Sequence, residues 1–146
     1  MRQEVENFII QQFGILQNQY GFDAPEIRRN SWTTRIDFKK GDIAIELEID
    51  WREFEVFLLI VRLESGEMPK GYYMSGGKKC RLHFLTLARK RGWPIHKSPH
   101  AQPRTGMSSA RNREINYLKS RITDYLDMLL SCIDLLLVEG RKLFDE

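Results

Sequence analysis

Apolar residues recur at helical spacing over the first twenty positions of the chain. These positions are Val5, Phe8, Ile9, Phe13, Leu16 and Tyr20. Because they fall on one side of a helix, the pattern predicts an amphipathic helix over residues 3–20. Gly21 follows where a left-handed residue commonly ends a helix, so we expect the helix to stop there.

The pattern then changes to one that is typical of strands. Apolar and polar residues alternate over 32–38 and 43–49, and the third run, 54–63, is apolar at most positions. Alternation of this kind indicates half-buried antiparallel strands, and the intervening four-residue loops, 39–42 and 50–53, indicate hairpins. The sequence therefore predicts a three-stranded antiparallel meander.

The loop lengths predict a register for this meander. Phe38 is expected to face Ile43, and Glu48 is expected to face Glu55, which leaves one face of the sheet wholly apolar. We expect the first helix to cover that face. The third strand also carries apolar residues on its other face, so a second element is expected there. Those residues are Phe57, Leu59, Val61 and Leu63.

The rest of the chain contains two further predicted helices. Residues 64–77 are rich in turn-forming residues, 78–91 read as a short basic helix, and 93–108 form an irregular arm with three prolines. Apolar positions close to heptad spacing predict one long helix over 109–139. We expect the long helix to cover the second sheet face or to form a homodimer with another copy.

Together these elements predict an α+β fold. Its order is an N-terminal helix, a three-stranded antiparallel meander, a short basic helix, an irregular arm and a long C-terminal helix. We expect a single domain, residues 1–146, with the helix and meander in 1–63, the basic loop, helix and arm in 64–108, and the long helix in 109–146.

Composition narrows the class of protein. Hydrophobic residues make up 42% of the chain, with eight Phe and three Trp, which excludes wholesale disorder. No stretch approaches the roughly 18 apolar residues of a membrane span, and the N-terminus lacks the layout of a signal peptide, so we predict a cytoplasmic protein. Cys80 and Cys132 belong to no Cys-x-x-Cys pair. We therefore predict no metal site and no cofactor.

Charge is strongly segregated along the chain. Between residues 70 and 121 there are thirteen Lys and Arg but one acid, Glu114, a net charge of +12. Residues 1–69 carry −5 and residues 122–146 carry −4, so the total is only +3. Such a basic segment either pairs with the acidic flanks inside the fold or meets an anionic partner.

Acidic residues on and after the second strand predict a partner-binding corner. It comprises Glu46, Glu48, Asp50, Glu53 and Glu55, with Trp51 beside them. Like charges that face each other on a sheet are unfavourable, so this corner calls for a cation. Arg35, the basic segment, a metal ion or a basic partner would supply it. A solvated acidic face is the alternative interpretation.

The basic segment predicts a surface for anions or nucleic acid. Its candidate residues are Lys78, Lys79, Arg81, Arg89, Lys90, Arg91, Trp93, Lys97, Arg104, Arg111 and Arg113. Basic residues interleaved with aromatics such as Tyr72 and Tyr73 suit phosphates and unpaired bases. Ser75 to Lys79, at the start of the predicted basic helix, also offer backbone N–H groups to a phosphate. Pairing with the acidic flanks is the alternative.

A third pattern resembles the core motif of restriction-endonuclease-like enzymes. Pro25-Glu26 precedes Asp37-Phe38-Lys39, and such enzymes hold Mg²⁺ between two carboxylates with a lysine near the attacking water. Asp37, Glu46 and Lys39 would be the catalytic set of a metal-dependent nuclease. Asp-x-Lys is also common at hairpin ends, so this hypothesis ranks last and we predict no catalytic residue.

Two short motifs resemble small bacterial α+β proteins of unannotated or immunity-protein type. They are Tyr20-Gly21-Phe22 after the first helix and the run Asp50 to Glu55, and the resemblance covers residues 3–63. Immunity proteins are non-catalytic and block a toxin by occupying its surface. The resemblance implies a non-enzymatic binding protein that acts through protein–protein contacts, with the acidic corner as its site and Trp51 as an anchor. A nucleic-acid-binding protein that uses residues 70–121 is the alternative.

Overall fold

The computed structural model describes residues 1–95 and 110–145, with side chains from residue 113 onward in the second range. The helices are α1 (Arg2–Gln12), α2 (Ile15–Tyr20), α3 (Phe84–Arg91) and α4 (Ala110–Glu139), followed by a 3₁₀ turn at Gly140–Phe144. The strands are β1 (Glu26–Arg29), β2 (Thr33–Lys40), β3 (Ile43–Asp50), β4 (Glu55–Arg62), β5 (Met74–Ser75), β6 (Lys78–Lys79) and β7 (Arg81–His83).

The predicted α+β layout is confirmed. Five strands form one antiparallel sheet in the order β1-β2-β3-β4-β7, and β5 and β6 form a separate hairpin. The predicted meander corresponds to β2, β3 and β4. The sheet therefore extends beyond the meander by one strand on each side.

The N-terminal helix is divided, although the pattern predicted one helix over 3–20. The break lies at Phe13 and Gly14, where the Gly14 amide donates to the Gln11 carbonyl at 3.4 Å in a tightened turn. Glycine favours helix less than other residues except proline, which explains the position of the break. Gly21 ends α2 in the left-handed conformation, with φ 75°, as predicted.

The register of the meander differs by two residues from the prediction. Phe38 faces Ile45, and Glu48 faces Phe57 rather than Glu55. The turn between β2 and β3 contains only Gly41 and Asp42, which adds a pair at that end of the ladder. Because side chains alternate with a period of two, this slip keeps every residue on its predicted face. The expected opposition of Glu48 and Glu55 was wrong.

The helices and the apolar sheet face enclose one core. Buried members include Val5, Ile9, Ile36, Ile45, Leu47, Leu58, Phe84, Leu118, Ile122 and Leu129. Phe13, between α1 and α2, lies against Phe38 of β2 with ring centroids 6.2 Å apart, so the first helix covers this face as predicted. The long helix α4 packs on the same face, against α1 and β4.

The expectation that the long helix covers the second sheet face was therefore wrong. Ala44, Val61 and Leu63 on that face are buried together, with Met68 of the following loop packed against them. Since the apolar patch is small, one loop is enough to cover it. Pairing of the long helix with a second copy stays a prediction.

The region predicted as one basic helix, 78–91, begins as two short strands. Gly76 and Gly77 form the turn between β5 and β6 with φ of 58° and 78°, which a tight hairpin requires and glycine allows. Helix α3 begins only at Phe84. The predicted phosphate site at a helix start was wrong, because residues 75–79 form a hairpin.

The C-terminal helix is confirmed, with 30 residues over Ala110–Glu139. It is about 45 Å long at the usual rise per residue. Within residues 1–95 and 110–145, no helix has both the length and the apolar character that crossing a membrane requires. Most of the predicted arm, residues 96–108, lies outside the described residues.

Candidate functional site

Four charged residues meet on the second face of the sheet. Asp37 and Glu46 are fully buried on β2 and β3. Arg28 of β1 donates to Asp37 Oδ2 at 2.9 Å and to Glu46 Oε2 at 3.0 Å, and Arg81 of β7 donates to Glu46 Oε1 at 2.9 Å. A buried charge is tolerated only when it is paired and hydrogen-bonded, as these are.

Asp37 and Glu46 face each other across β2 and β3, so each affects the ionisation of the other. Asp37 Oδ1 is buried and has no hydrogen-bond partner among the described residues. Burial, followed by the adjacent Glu46, raises the pKa of Asp37 to about 8. Burial also opposes ionisation of Glu46, but hydrogen bonds from Asp37 and Arg81 outweigh it and lower the pKa of Glu46. The pair therefore carries one negative charge at neutral pH.

Arg81 connects this pair to the segment that precedes the β5–β6 hairpin. Its Nη1 donates to the carbonyl oxygens of Gly71 at 3.2 Å and Tyr72 at 2.9 Å. The Tyr72 hydroxyl donates to Glu48, and the Arg81 guanidinium lies over the Tyr72 ring at 4.7 Å. The network thus holds residues 71–72 against the sheet.

The predicted acidic corner is not one exposed surface. Glu46 is buried in the network, and Trp51 is 4% exposed and donates its indole N–H to Thr34 at 2.8 Å. Glu48 is bonded to Tyr72, and Glu55 accepts from Tyr117 at 2.7 Å. These acids are largely engaged inside the fold.

Of the remaining two members of the corner, Asp50 ends β3 and Glu53 lies in the turn that follows. Asp50 accepts the turn amides of Arg52 and Glu53 at 2.9 and 3.1 Å, and Glu53 is exposed. Asp50 also faces Glu55 across the ladder. The structure therefore uses Asp50 to order the turn, as aspartates commonly do.

The predicted basic residues differ in their exposure to solvent. Lys78, Lys79, Arg89 and Lys90 are exposed. Arg81 is buried, Arg91 lies 3.6 Å from Glu139, and Trp93 and Arg113 are partly buried. Lys97 and Arg104 lie outside the described residues, as does the side chain of Arg111. Of these residues, Lys78 and Lys79 lie together on β6, and Lys79 and Lys90 line the same hollow between β7 and α3.

The three residues of the predicted nuclease set do not share one set of ion pairs. Asp37 and Glu46 belong to the buried network, whereas Lys39 pairs with Glu26 at 2.6 Å. In the described part of the chain, no group of three or more His, Cys, Asp or Glu residues is arranged to hold a metal ion.

A groove runs along β7, next to the exposed lysines. One hollow of about 280 Å³ is lined by Tyr73, Met74, Lys79, Arg81, Leu82, His83 and Thr86. A second, of about 130 Å³, shares four of these residues and continues between Leu87 and Lys90 of α3 and Leu143 of the 3₁₀ turn. Tyr73 and Met74 are 50% and 52% exposed at its mouth. Apolar atoms provide most of the lining surface, although lysine, arginine and histidine side chains contribute to it.

β7 is the last strand of the five-stranded sheet in the part of the chain that the structure describes. It pairs with β4 on one side, and no strand follows it in the sheet order. The Arg62 amide donates to the Cys80 carbonyl at 2.8 Å, which sets the alternation of the ladder. The Cys80 amide donates to the Tyr73 carbonyl at 2.7 Å, so the segment that precedes β5 lies beside the start of β7.

Charged and aromatic groups surround this edge. The Tyr73 hydroxyl and His83 Nε2 are hydrogen-bonded at 2.9 Å, which places both rings beside β7. Lys78 and Lys79 line a neighbouring hollow of about 450 Å³ with Asp145, the one acid among the described residues that line these hollows. The surroundings of β7 are thus apolar at the base and basic at the rim.

Most of the groove was not predicted from the sequence, because β5, β6 and β7 were read as loop and helix. The missed signal is Gly76-Gly77 between Met74-Ser75 and Lys78-Lys79, since two consecutive glycines are typical of a two-residue hairpin turn. A hairpin there would have placed Met74 opposite Lys79, as the structure does.

Searches of protein-family models, curated proteins and solved structures give no match to this chain. What the protein does is therefore inferred from the groove and the network beside it.

Proposed function

We propose that this chain is a binding protein that acts through protein–protein contacts at the groove along β7. The observation that carries the proposal is a groove beside the edge strand β7 whose lining surface is mostly apolar, with Tyr73 and Met74 half exposed at its mouth. Grouped apolar side chains around a groove mark interaction sites more than scattered ones do. Tyrosine is enriched at binding hot spots, and methionine adapts its shape to a partner.

We assign partner binding to the groove rather than to the acidic corner that the sequence suggested. Glu46 and Trp51 are buried, and Glu55 is engaged with Tyr117, so the corner offers little to a partner. More specifically, we propose that the chain has a role like that of immunity proteins. In that role, the bound protein is a toxin whose action the chain blocks.

Nucleic acid is the second candidate ligand. The exposed Lys78 and Lys79 beside Tyr73 favour it, because lysines contact phosphates and aromatic rings stack on bases. It predicts oligonucleotide binding that weakens steeply with salt and is lost in a Lys78→Glu/Lys79→Glu variant. The low polarity of the groove lining favours a protein instead.

The test places a photo-crosslinking amino acid at Met74 and identifies the adduct formed in cells by mass spectrometry. The identified protein is purified, and its Kd is measured with wild type and with a Tyr73→Ala/Met74→Ala double variant. Both side chains are half exposed, so we expect the variant to fold and to bind at least about tenfold more weakly. Trp32→Ala is the matched control, since Trp32 is 52% exposed and stacks on Arg52 away from the groove.

Equal losses in the control and the double variant would overturn the proposal, as would unchanged binding by the double variant. Salt-sensitive binding of oligonucleotides, with no protein adduct at position 74, would replace it by the nucleic-acid alternative.

A further inference from the structure

We infer that an exposed strip at the C-terminal end of α4 binds a second copy of this chain, in an antiparallel contact whose two-fold axis passes beside Val138. This C-terminal strip consists of Asp134, Leu135 and Val138 of α4, with Arg141 and Lys142 of the following 3₁₀ turn. These residues lie outside the lining of the groove along β7. The inference therefore goes beyond the proposed function and is tested separately from it.

The C-terminal strip presents two apolar side chains to solvent. Val138 is 81% exposed and Leu135 is 45% exposed. They lie three positions apart, so they are neighbours on one side of the helix. The other side of the same helical turns carries Ile133 and Leu136, which are buried in the core. The apolar seam that predicted this helix thus faces the core, and a second copy must pack against the opposite face.

The charges of the C-terminal strip change sign along the chain. Asp134 lies four positions before Val138, and Lys142 lies four positions after it, next to Arg141. These three charged side chains are exposed, and none of them forms an ion pair with another described residue. The strip therefore has an acidic end and a basic end, with the apolar residues between them.

This order of charges makes the C-terminal strip complementary to itself. In a two-fold contact, the same surface of both copies is used, and every contact occurs twice. An antiparallel contact centred on Val138 places Asp134 of each copy against Lys142 of the other, while the two Val138 side chains pack together. A parallel contact would place like charges against each other, which is unfavourable. The charges thus favour one orientation of the two copies.

The length of the C-terminal strip determines how strong the contact can be. The strip covers only about two helical turns, and small interfaces are typical of transient complexes. Val138 at its centre is largely exposed in one copy, so its removal from water stabilises the contact. We therefore expect a dimer that forms reversibly as the protein concentration rises.

Sedimentation velocity of the full-length chain over a range of concentrations measures this self-association. We expect the wild-type chain to dimerise, and Val138→Glu to weaken dimerisation at least about tenfold, because two carboxylates then meet at the axis. Trp32→Glu is the matched control. Trp32 is 52% exposed in the turn between β1 and β2, so the same change there should leave the dimerisation constant unchanged.

An exchange of charges tests the antiparallel orientation. Asp134→Lys and Arg141→Glu/Lys142→Glu, each studied alone, should weaken self-association at least about tenfold, because like charges then face each other. An equimolar mixture of these two variants should form a mixed dimer with nearly the wild-type dimerisation constant, since opposite charges face each other at both ends of the contact. Mixing would not reverse an effect of either substitution on folding.

A wild-type chain that stays monomeric at its highest soluble concentration would overturn the inference. So would equal effects of Val138→Glu and Trp32→Glu, or charge variants that associate no better when mixed than when alone. If the wild type is monomeric and a photo-crosslinking amino acid at position 138 captures a different protein in cells, the C-terminal strip binds that partner and the inference fails. These outcomes do not depend on the crosslink at Met74, so the proposed function is tested independently.

Discussion

The buried pair of Asp37 and Glu46 predicts an unusual dependence of stability on pH. The pKa of Asp37 is raised from 3.8 to about 8, so the folded protein holds a proton between these values that the unfolded chain has released. Stability is then full below pH 3.8 and falls as the pH rises toward 8. Glu46 has a lowered pKa, so its contribution is complete above pH 4.5 and does not oppose the fall.

The expected magnitude follows from one proton. A single group that is protonated only in the folded state changes the free energy of unfolding by about 1.4 kcal/mol per pH unit. From pH 5 to pH 8, wild type should therefore lose up to about 4 kcal/mol relative to an Asp37→Asn variant. Asparagine keeps the shape of the protonated acid, can donate to Glu46, and does not titrate.

Urea unfolding, followed by tryptophan fluorescence at pH 5, 6, 7 and 8, measures this difference. Comparison with Asp37→Asn at each pH cancels contributions from the histidines. Asp50→Asn serves as the control. Asp50 ends β3, outside the buried network, and asparagine keeps the side-chain oxygen that accepts the Arg52 amide. A difference between wild type and Asp37→Asn that stays constant over this range would refute the raised pKa of Asp37, since Asp37 would then be ionised throughout.

Three further substitutions test the network and its surroundings. Glu46→Gln removes the carboxylate that Arg81 contacts and leaves a buried cation, so the free energy of unfolding at pH 7, measured with urea, should fall by about 3–5 kcal/mol. Trp51→Phe removes a buried indole hydrogen bond and should cost about 1 kcal/mol in the same assay. Gly71→Ala would place a methyl group 1.7 Å from the Met74 carbonyl oxygen. The backbone must shift, so we expect the free energy of unfolding to fall by about 1–3 kcal/mol, measured by thermal unfolding, and the protein identified by crosslinking at Met74 to bind more weakly.

Local patterns predicted much of the fold because they report which side of an element is buried. The alternation in β2, β3 and β4 identified the strands and their faces, and the helical spacing identified α1 and α4. The register was wrong by two residues because a period of two is unchanged by such a slip. Only the turn at Gly41–Asp42, in its folded geometry, distinguishes the two registers.

The candidate site was less predictable, since it depends on residues far apart in the chain. Arg81 and Glu46 are separated by 35 positions, yet each satisfies the other's buried charge. Composition alone left open whether the basic segment pairs internally or stays exposed, and in the structure its residues divide between the two. Arg81 is used inside, while Lys78 and Lys79 remain exposed on the hairpin.

By itself, the sequence determined the α+β class, the buried faces of the meander and the extent of the long helix, because hydrophobic periodicity acts within each element. The tertiary structure decided that α4 joins α1 on one sheet face, that the loop around Met68 covers the other, and that β7 lies at an edge. These arrangements depend on contacts between elements that are far apart in the sequence, and the spacing of residues within one element does not specify those contacts.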